Sequence, residues 1–170
     1  ASDVYKRQDS NGNAYQVCKI VTTPFFHISG SVAGFLMCLW AGLKLVIMHK
    51  WDAHRAVELV DKEKVSHFSG VPTMTSELIV AAAEMGRPLE YLMRVDSGGS
   101  KRPPAQVDLL AKRIPHALPG NGWGMTETGG LGISARGPEY IKHPDSSGRL
   151  QPPLQQMRVV DDQDRDVPLG

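Results

Sequence analysis

The chain has 170 residues, of which 41% are hydrophobic and 22% charged, with a formal charge of +1 at pH 7. That length supports one domain with its own core and no disulfide or metal staple, and the near-neutral charge gives no footprint of nucleic-acid binding. Cys18 and Cys38 lie in apolar runs without C-x-x-C spacing, so they read as buried thiols of a reducing compartment, with a cytoplasmic location as the default.

Residues 1–8 show neither an initiator methionine nor a signal-peptide pattern and are read as a non-native leader. Gln16–Thr22, rich in Val and Ile and ending at Thr23-Pro24, predicts a strand that feeds the loop Phe25–Gly30. Ile28 to Met48 is long and apolar enough to raise a membrane span, with Lys44 its only charge. Gly42 divides it, however. The run therefore reads as a buried helix over Ser31–Ala41, a turn, and a strand over Leu43–Met48 covered on both faces; no transmembrane segment is expected.

Asp52 caps the next predicted helix, which turns Ala53, Ala56, Val57 and Val60 inward. Val65–Ser69 predicts a third strand, and Pro72 opens a helix with Leu78, Ile79, Ala82 and Ala83 as its buried stripe. Tyr91–Asp96 predicts a fourth strand, and Ser97-Gly98-Gly99-Ser100 turns off its end. Pro103-Pro104 starts a helix facing inward through Val107, Leu110, Ala111 and Ile114, and His116–Leu118 is a short fifth strand. This alternation predicts an α/β fold over residues 9–135, a largely parallel sheet with flanking helices.

From residue 136 the prolines multiply, and a predicted strand over Leu154–Val160 begins a small β-rich unit closed by the acidic turn Asp161–Asp166. Asp162, Asp164 and Asp166 mimic a calcium loop, but Val167 stands where glycine is required, which favours a solvated hairpin turn. His49 and His54 fall off a common helical face and make poor metal ligands. Apolar surface is expected to remain uncovered near Ile20, Val21 and Leu154.

The chemistry concentrates in Pro119-Gly120-Asn121-Gly122-Trp123-Gly124-Met125-Thr126-Glu127-Thr128. Its glycines let a ligand approach the main chain, Trp123 offers a flat face for a base, Glu127 a hard oxygen for a cation, and Met-Thr-Glu a helix N-terminus for phosphate. The competing structural account is a Gly-rich turn with a core tryptophan and a surface glutamate. The G-x-G-x-G spacing, late in the chain, excludes a dinucleotide fingerprint. In the predicted sheet the His27 loop, the Gly98-Gly99 turn and the Gly120–Glu127 stretch all follow strand C-termini and meet at one edge, where ligands of such folds bind.

Asn-Gly-Trp-Gly-Met-Thr-Glu-Thr at 121–128 and Pro-Phe-Phe-His-Ile-Ser-Gly at 24–30 resemble motifs of the adenylate-forming, AMP-binding superfamily in its acyl-CoA synthetase branch. Val71-Pro72-Thr73, Ser97-Gly98-Gly99-Ser100 and Ser147-Gly148-Arg149 match in the same order, so the resemblance spans about residues 13–170. It implies ATP-dependent activation of a fatty or aryl acid to acyl-AMP, then thioester formation with CoA. It further implies that Gly98, Gly99, Ser100, Asn121, Gly122, Trp123, Gly124 and Met125 surround the nucleotide and that Thr126 donates to a phosphate. Glu127 would hold Mg²⁺, His27 would border the carboxylate and the CoA route, and Val71, Gly98 and Gly132 would line the acyl pocket.

The resemblance also implies missing parts. The family's phosphate loop with its lysine belongs before residue 13, and its ribose-binding aspartate and mobile C-terminal domain belong beyond Gly170, so the piece is expected to be inactive alone. Two rivals stand beside the ligase: a non-catalytic nucleotide-binding or scaffolding module of the same fold, and an amino-acid-activating domain, which usually carries proline where Met125 stands. Ser100 replaces the usual alanine and Phe25 the usual leucine.

Overall fold

The computed structural model describes residues 6–8, 12, 14–130, 132–153 and 155–168. Strands β1 (Lys6–Gln8) and β2 (Ala14–Gln16) form an antiparallel ribbon. β3 (Cys18–Val21), β4 (Lys44–Ile47), β5 (His67–Gly70), β6 (Arg94–Ser97), β7 (Leu118–Trp123) and β8 (Ile133–Arg136) form one sheet in the order β4-β3-β5-β6-β7-β8. All pairings are parallel except that of β8 with β7. The chain steps outward from β3 to β4, then returns past β3 to β5, which makes the C-terminal end of the β3–β5 pair a topological switch point, where ligands of such sheets bind.

Three helices cover one face. In α2, α3 and α4 below, most of the predicted inward residues meet Cys18, Ile20, Phe68 and Val95 of the strands in one core, while Val107 joins Ala135 and Tyr140 in a smaller cluster. The first of them follows the helix α1, which runs as α-helix over Ile28–Gly30, π-helix over Ser31–Leu36 and α-helix over Met37–Ala41. α2 (Ala53–Glu63) starts where Asp52 accepts from the Arg55 N–H at 2.8 Å. α3 (Pro72–Glu84) and α4 (Pro104–Arg113) each start on proline, whose missing N–H costs nothing there. Phe68, at the centre of this core, is 1% exposed, and truncating such a ring costs about 3–5 kcal/mol. The buried stripe of α3 uses Ala81 with Leu78, Ile79 and Ala82, while Ala83 faces out.

The opposite face is covered differently from expectation. α1 lies there against β3 through small residues only: Gly30, Gly34, Cys38 and Ala41 are buried, and Gly34 sits over the Val21 methyls. Its large side chains turn away, with Trp40 80% exposed and Leu36, Met37 and Leu39 exposed too, so the apolar helix is not buried all round. A stripe of small residues lets one side approach the sheet closely, and a helix has only one such side. Ile20 and Val21, expected to be uncovered, are both buried, Val21 beneath α1 and Ile20 in the core on the α2–α4 face. β4 is parallel but occupies the sheet edge, where Ile47 is exposed rather than covered on both faces.

The β1–β2 ribbon, β8 and the short helix α5 (Gly137–Lys142) that follows β8 went unread in the sequence. Conversely, the predicted strand over Leu154–Val160 does not form. Leu154 lies outside the described residues, and the rest makes a single bridge, Val160 to Asp166, because among the described residues no neighbouring strand offers a ladder. The acidic stretch is a hairpin turn, as expected. Arg165 grips Asp161 at 2.7 Å and holds that carboxyl below the usual carboxylate range, while Arg158 reaches Asp166 at 2.8 Å. Among the described residues, no helix is long and apolar enough to cross a membrane, and no group of three His, Cys, Asp or Glu side chains is placed to hold a metal.

Candidate functional site

The Gly-rich motif is not wholly a loop. Its first half, Pro119–Trp123, is the body of β7, hydrogen-bonded between β6 and β8. The residues that signal a turn are here for close approach: a β-carbon on Gly120 would overlap the Asp96 carboxylate, and one on Gly98 would meet the Gly122 carbonyl oxygen at 3.1 Å. Asp96 in turn pairs with Arg94 at 3.1 Å and Arg136 at 3.8 Å. The glycine pattern thus packs the Gly98-Gly99 turn flat against the end of β7.

The second half leaves the sheet edge as a single 3-10 turn over Thr126–Thr128, not as the α-helix expected of Met-Thr-Glu. Three residues are too short for a helix dipole to gather, so the anion-binding terminus read from the sequence is absent. Thr128 closes the turn, its Oγ1 accepting from the Met125 N–H at 3.1 Å and donating to the Met125 carbonyl at 3.0 Å. The Gly129 and Gly130 N–H groups donate to Thr126 and Met125 carbonyls, from backbone conformations with φ of 67° and 77°. The result is a rigid knuckle that presents Thr126 and Glu127 to solvent. Neither side chain has a hydrogen-bond or ion-pair partner among the described residues.

The remaining loops converge on it. Val71 follows β5, and its Cγ1 lies 3.6 Å from where a Gly99 side chain would begin. Gly99 itself has φ 78°, a conformation that suits glycine. The Gly98 N–H donates to the Gly70 carbonyl, which ties the turns after β5 and β6 together. A β-carbon on Gly130 would lie 2.9 Å from Ile28 Cγ1, so the knuckle sits against the first turn of α1, next to His27 in the chain.

His27 caps α1. Its Nδ1 accepts from the Ser29 N–H at 3.2 Å and faces the Ser29 hydroxyl at 2.7 Å. A nitrogen that accepts from a backbone N–H carries no proton, so the neutral ring is protonated at Nε2 and that N–H is left to donate outward. Trp123, the last residue of β7, is 52% exposed. Gly132 stands across the hairpin from it, so close that a side chain there would overlap the Trp123 carbonyl. Asn121 departs from the pattern: its Oδ1 is buried without a partner among the described residues instead of lining the surface. Ser100, Gly124 and Met125 are exposed along the same edge.

Sequence reasoning missed Thr128, which holds the knuckle, and Asp96, which sets the packing of Gly120. A hydroxyl three residues after Met125 was the available signal for the first. The second depended on cross-strand register, for which the sequence carries no local mark.

A sequence model of the AMP-binding enzyme family matches residues 3–170. Among curated proteins, the chain is 29% identical over 143 residues to 4-coumarate–CoA ligase-like 6 of Arabidopsis thaliana, covering 84% of this chain and 25% of that protein. It is 35% identical over 107 residues to 4-coumarate–CoA ligase 1 of Narcissus pseudonarcissus, covering 62% and 19%. The chain therefore spans a quarter or less of the length of these relatives. Among solved structures, a protein assigned as a long-chain-fatty-acid CoA ligase from Rhodopseudomonas palustris superposes with a TM-score of 0.77 at 28% identity, over 91% of this chain and 37% of that one. The O-succinylbenzoate coenzyme A synthetase of Bacillus subtilis, solved with ATP and magnesium ion, shares the fold with a TM-score of 0.75 at 21% identity, over 89% and 30%.

Proposed function

Since this chain belongs to the AMP-binding enzyme family, we propose that it is the nucleotide-holding segment of a longer ATP-dependent carboxylate–CoA ligase. A carboxylate oxygen attacks the α-phosphorus of ATP and pyrophosphate leaves, giving acyl-AMP. The CoA thiolate then attacks the acyl carbon, and AMP leaves with the electron pair of the broken C–O bond. The observation that carries this is the knuckle: a threonine hydroxyl and an unpartnered carboxylate, Thr126 and Glu127, on a turn locked by Thr128 beside the Gly98-Gly99 turn and His27.

Gly98, Gly99 and Ser100 offer bare backbone to the adenine, and Trp123 stacks on its face, with Asn121, Gly122, Gly124 and Met125 framing that edge. Thr126 Oγ1 donates to a phosphate oxygen. Glu127, a lone exposed carboxylate, fits Mg²⁺, a hard ion that takes one or two carboxylates and completes its shell with phosphate oxygens and water. When bound there, the ion neutralises charge on the leaving pyrophosphate. His27, protonated at Nε2, donates to the substrate carboxylate and borders the approach of CoA. Val71, Gly98 and Gly132 bound the near end of the acyl pocket, and the relatives' names favour an aryl or fatty acid.

The full-length ligase is expected to release pyrophosphate from ATP only when an aryl or fatty acid is supplied. Glu127→Gln is expected to lower that rate by about a hundredfold while leaving the melting transition unchanged. If no fatty, aryl or amino acid supports pyrophosphate release while nucleotide still binds, the segment is a non-catalytic nucleotide-binding module. The isolated chain is expected to form no acyl-CoA.

A further inference from the structure

Behind the Gly98-Gly99 turn lies a buried polar cluster that the chemistry above does not use. Arg102 is 1% exposed; its Nη2 donates to the Val95 carbonyl at 3.4 Å, while Nε and Nη1 find no partner among the described residues. Tyr140 of α5 is fully buried, its hydroxyl also without a partner among the described residues, and it packs with Val107 of α4 and Ala135 of β8. Ala135 is the cross-strand neighbour of Asn121, and Asn121 that of Ser97. Asn121 Oδ1 and Ser97 Oγ are both buried without a partner among the described residues. Arg102 and Tyr140 interact electrostatically, while burial holds the guanidinium below and the phenol above its ordinary pKa.

Open hydrogen-bonding capacity around a buried cation is costly, and native structures fill it. The open atoms are of both kinds: Arg102 only donates, Asn121 Oδ1 only accepts, and the hydroxyls do either. An anion would suit the arginine and be repelled by the amide oxygen. Water satisfies all of them, since each molecule bridges two to four polar groups. Arg102 also closes a loop, because the segment between Val95 and Arg102 contains the whole of Ser97-Gly98-Gly99-Ser100.

We propose that Arg102 is a positioning residue for the nucleotide turn, clamping its far side to Val95 and joined by buried water to Tyr140, Ser97 and Asn121. This rests on the nucleotide reading of that turn. Removing the guanidinium frees Gly98 and Gly99 from the end of β7 and weakens ATP more than the other substrates.

The test uses the full-length ligase with Arg102→Met, which keeps most of the volume, and Tyr140→Phe, which removes one oxygen. Arg102→Met is expected to raise KM for ATP by roughly tenfold, the effect of losing a hydrogen bond from a charged group, with KM for CoA unchanged. Tyr140→Phe moves it less and in the same direction, and the double variant does no worse than Arg102→Met, because both act through shared water. A high-resolution crystal structure of the unsubstituted chain shows ordered water between Arg102 and Tyr140. An unchanged KM for ATP, strictly additive effects, or a dry or anion-filled cluster overturns the proposal. If Arg102→Met does not fold, Tyr140→Phe alone decides by the same measure. If the unsubstituted ligase uses no ATP, the proposed function fails instead, and the crystal structure still decides whether water joins the cluster.

Discussion

A β-carbon on Gly120 would overlap Oδ1 of Asp96, its register partner on β6, so the motif's first glycine exists to seat a carboxylate. Gly120→Ala is expected to push Asp96 off Arg94 and Arg136 and to destabilise the isolated chain by about 1–3 kcal/mol. Gly122→Ala, whose added methyl meets nothing nearer than 3.8 Å, is expected to stay within about 0.5 kcal/mol of the parent. Urea titration of the two variants measures the difference; equal midpoints would show that Asp96 moves freely.

Thr128 touches no ligand in the proposed chemistry, yet it fixes the residues that do. Thr128→Val removes both hydrogen bonds to Met125 and is expected to cost about 1 kcal/mol. In the full-length ligase it should slow pyrophosphate release, and Thr128→Ser, which keeps the hydroxyl, should restore it. Failure of serine to rescue would mean that the methyl group, not the oxygen, holds the knuckle.

Burial pushes the Cys18 thiol up to about 11, and Cys38 also lies above its ordinary value for the same reason. Raising a thiol's pKa lowers its thiolate fraction at every pH beneath that value, and the thiolate is the reactive form. Native protein at pH 8 is therefore expected to react with a thiol reagent only as fast as it unfolds, with both cysteines modified at once in denaturant. Rapid labelling of either thiol in the native state would place it nearer the surface than it is here.

The parallel α/β layout was legible because the inward residues of α2, α3 and α4 recur at helical spacing and each helix begins on a recognisable cap or proline. The convergence of the His27, Gly98-Gly99 and Gly120–Glu127 segments followed from that layout. What misled was local chemistry under tertiary control. Pro-Gly-Asn-Gly at 119–122 carries turn residues but is strand, since two neighbours supply its ladder and one needs the space that a side chain would fill. The composition of α1 indicated burial, but only its glycines, Cys38 and Ala41 decide which side meets the sheet. Arg102 gave no signal in the sequence, because burial of a single cation leaves no periodic trace.

The π-helical turn at Ser31–Leu36 frees the Ala33 carbonyl, which Lys19 Nζ takes at 2.6 Å from β3. A wide turn of this kind absorbs one residue beyond what an α-helix of the same rise holds. Losing a residue there would tighten the turn while leaving Ile28–Gly30 and Met37–Ala41 facing as they do now. Relatives aligned with this chain are therefore expected to place a one-residue gap between 31 and 36 without moving His27, and those that carry the gap should have little use for a lysine at position 19.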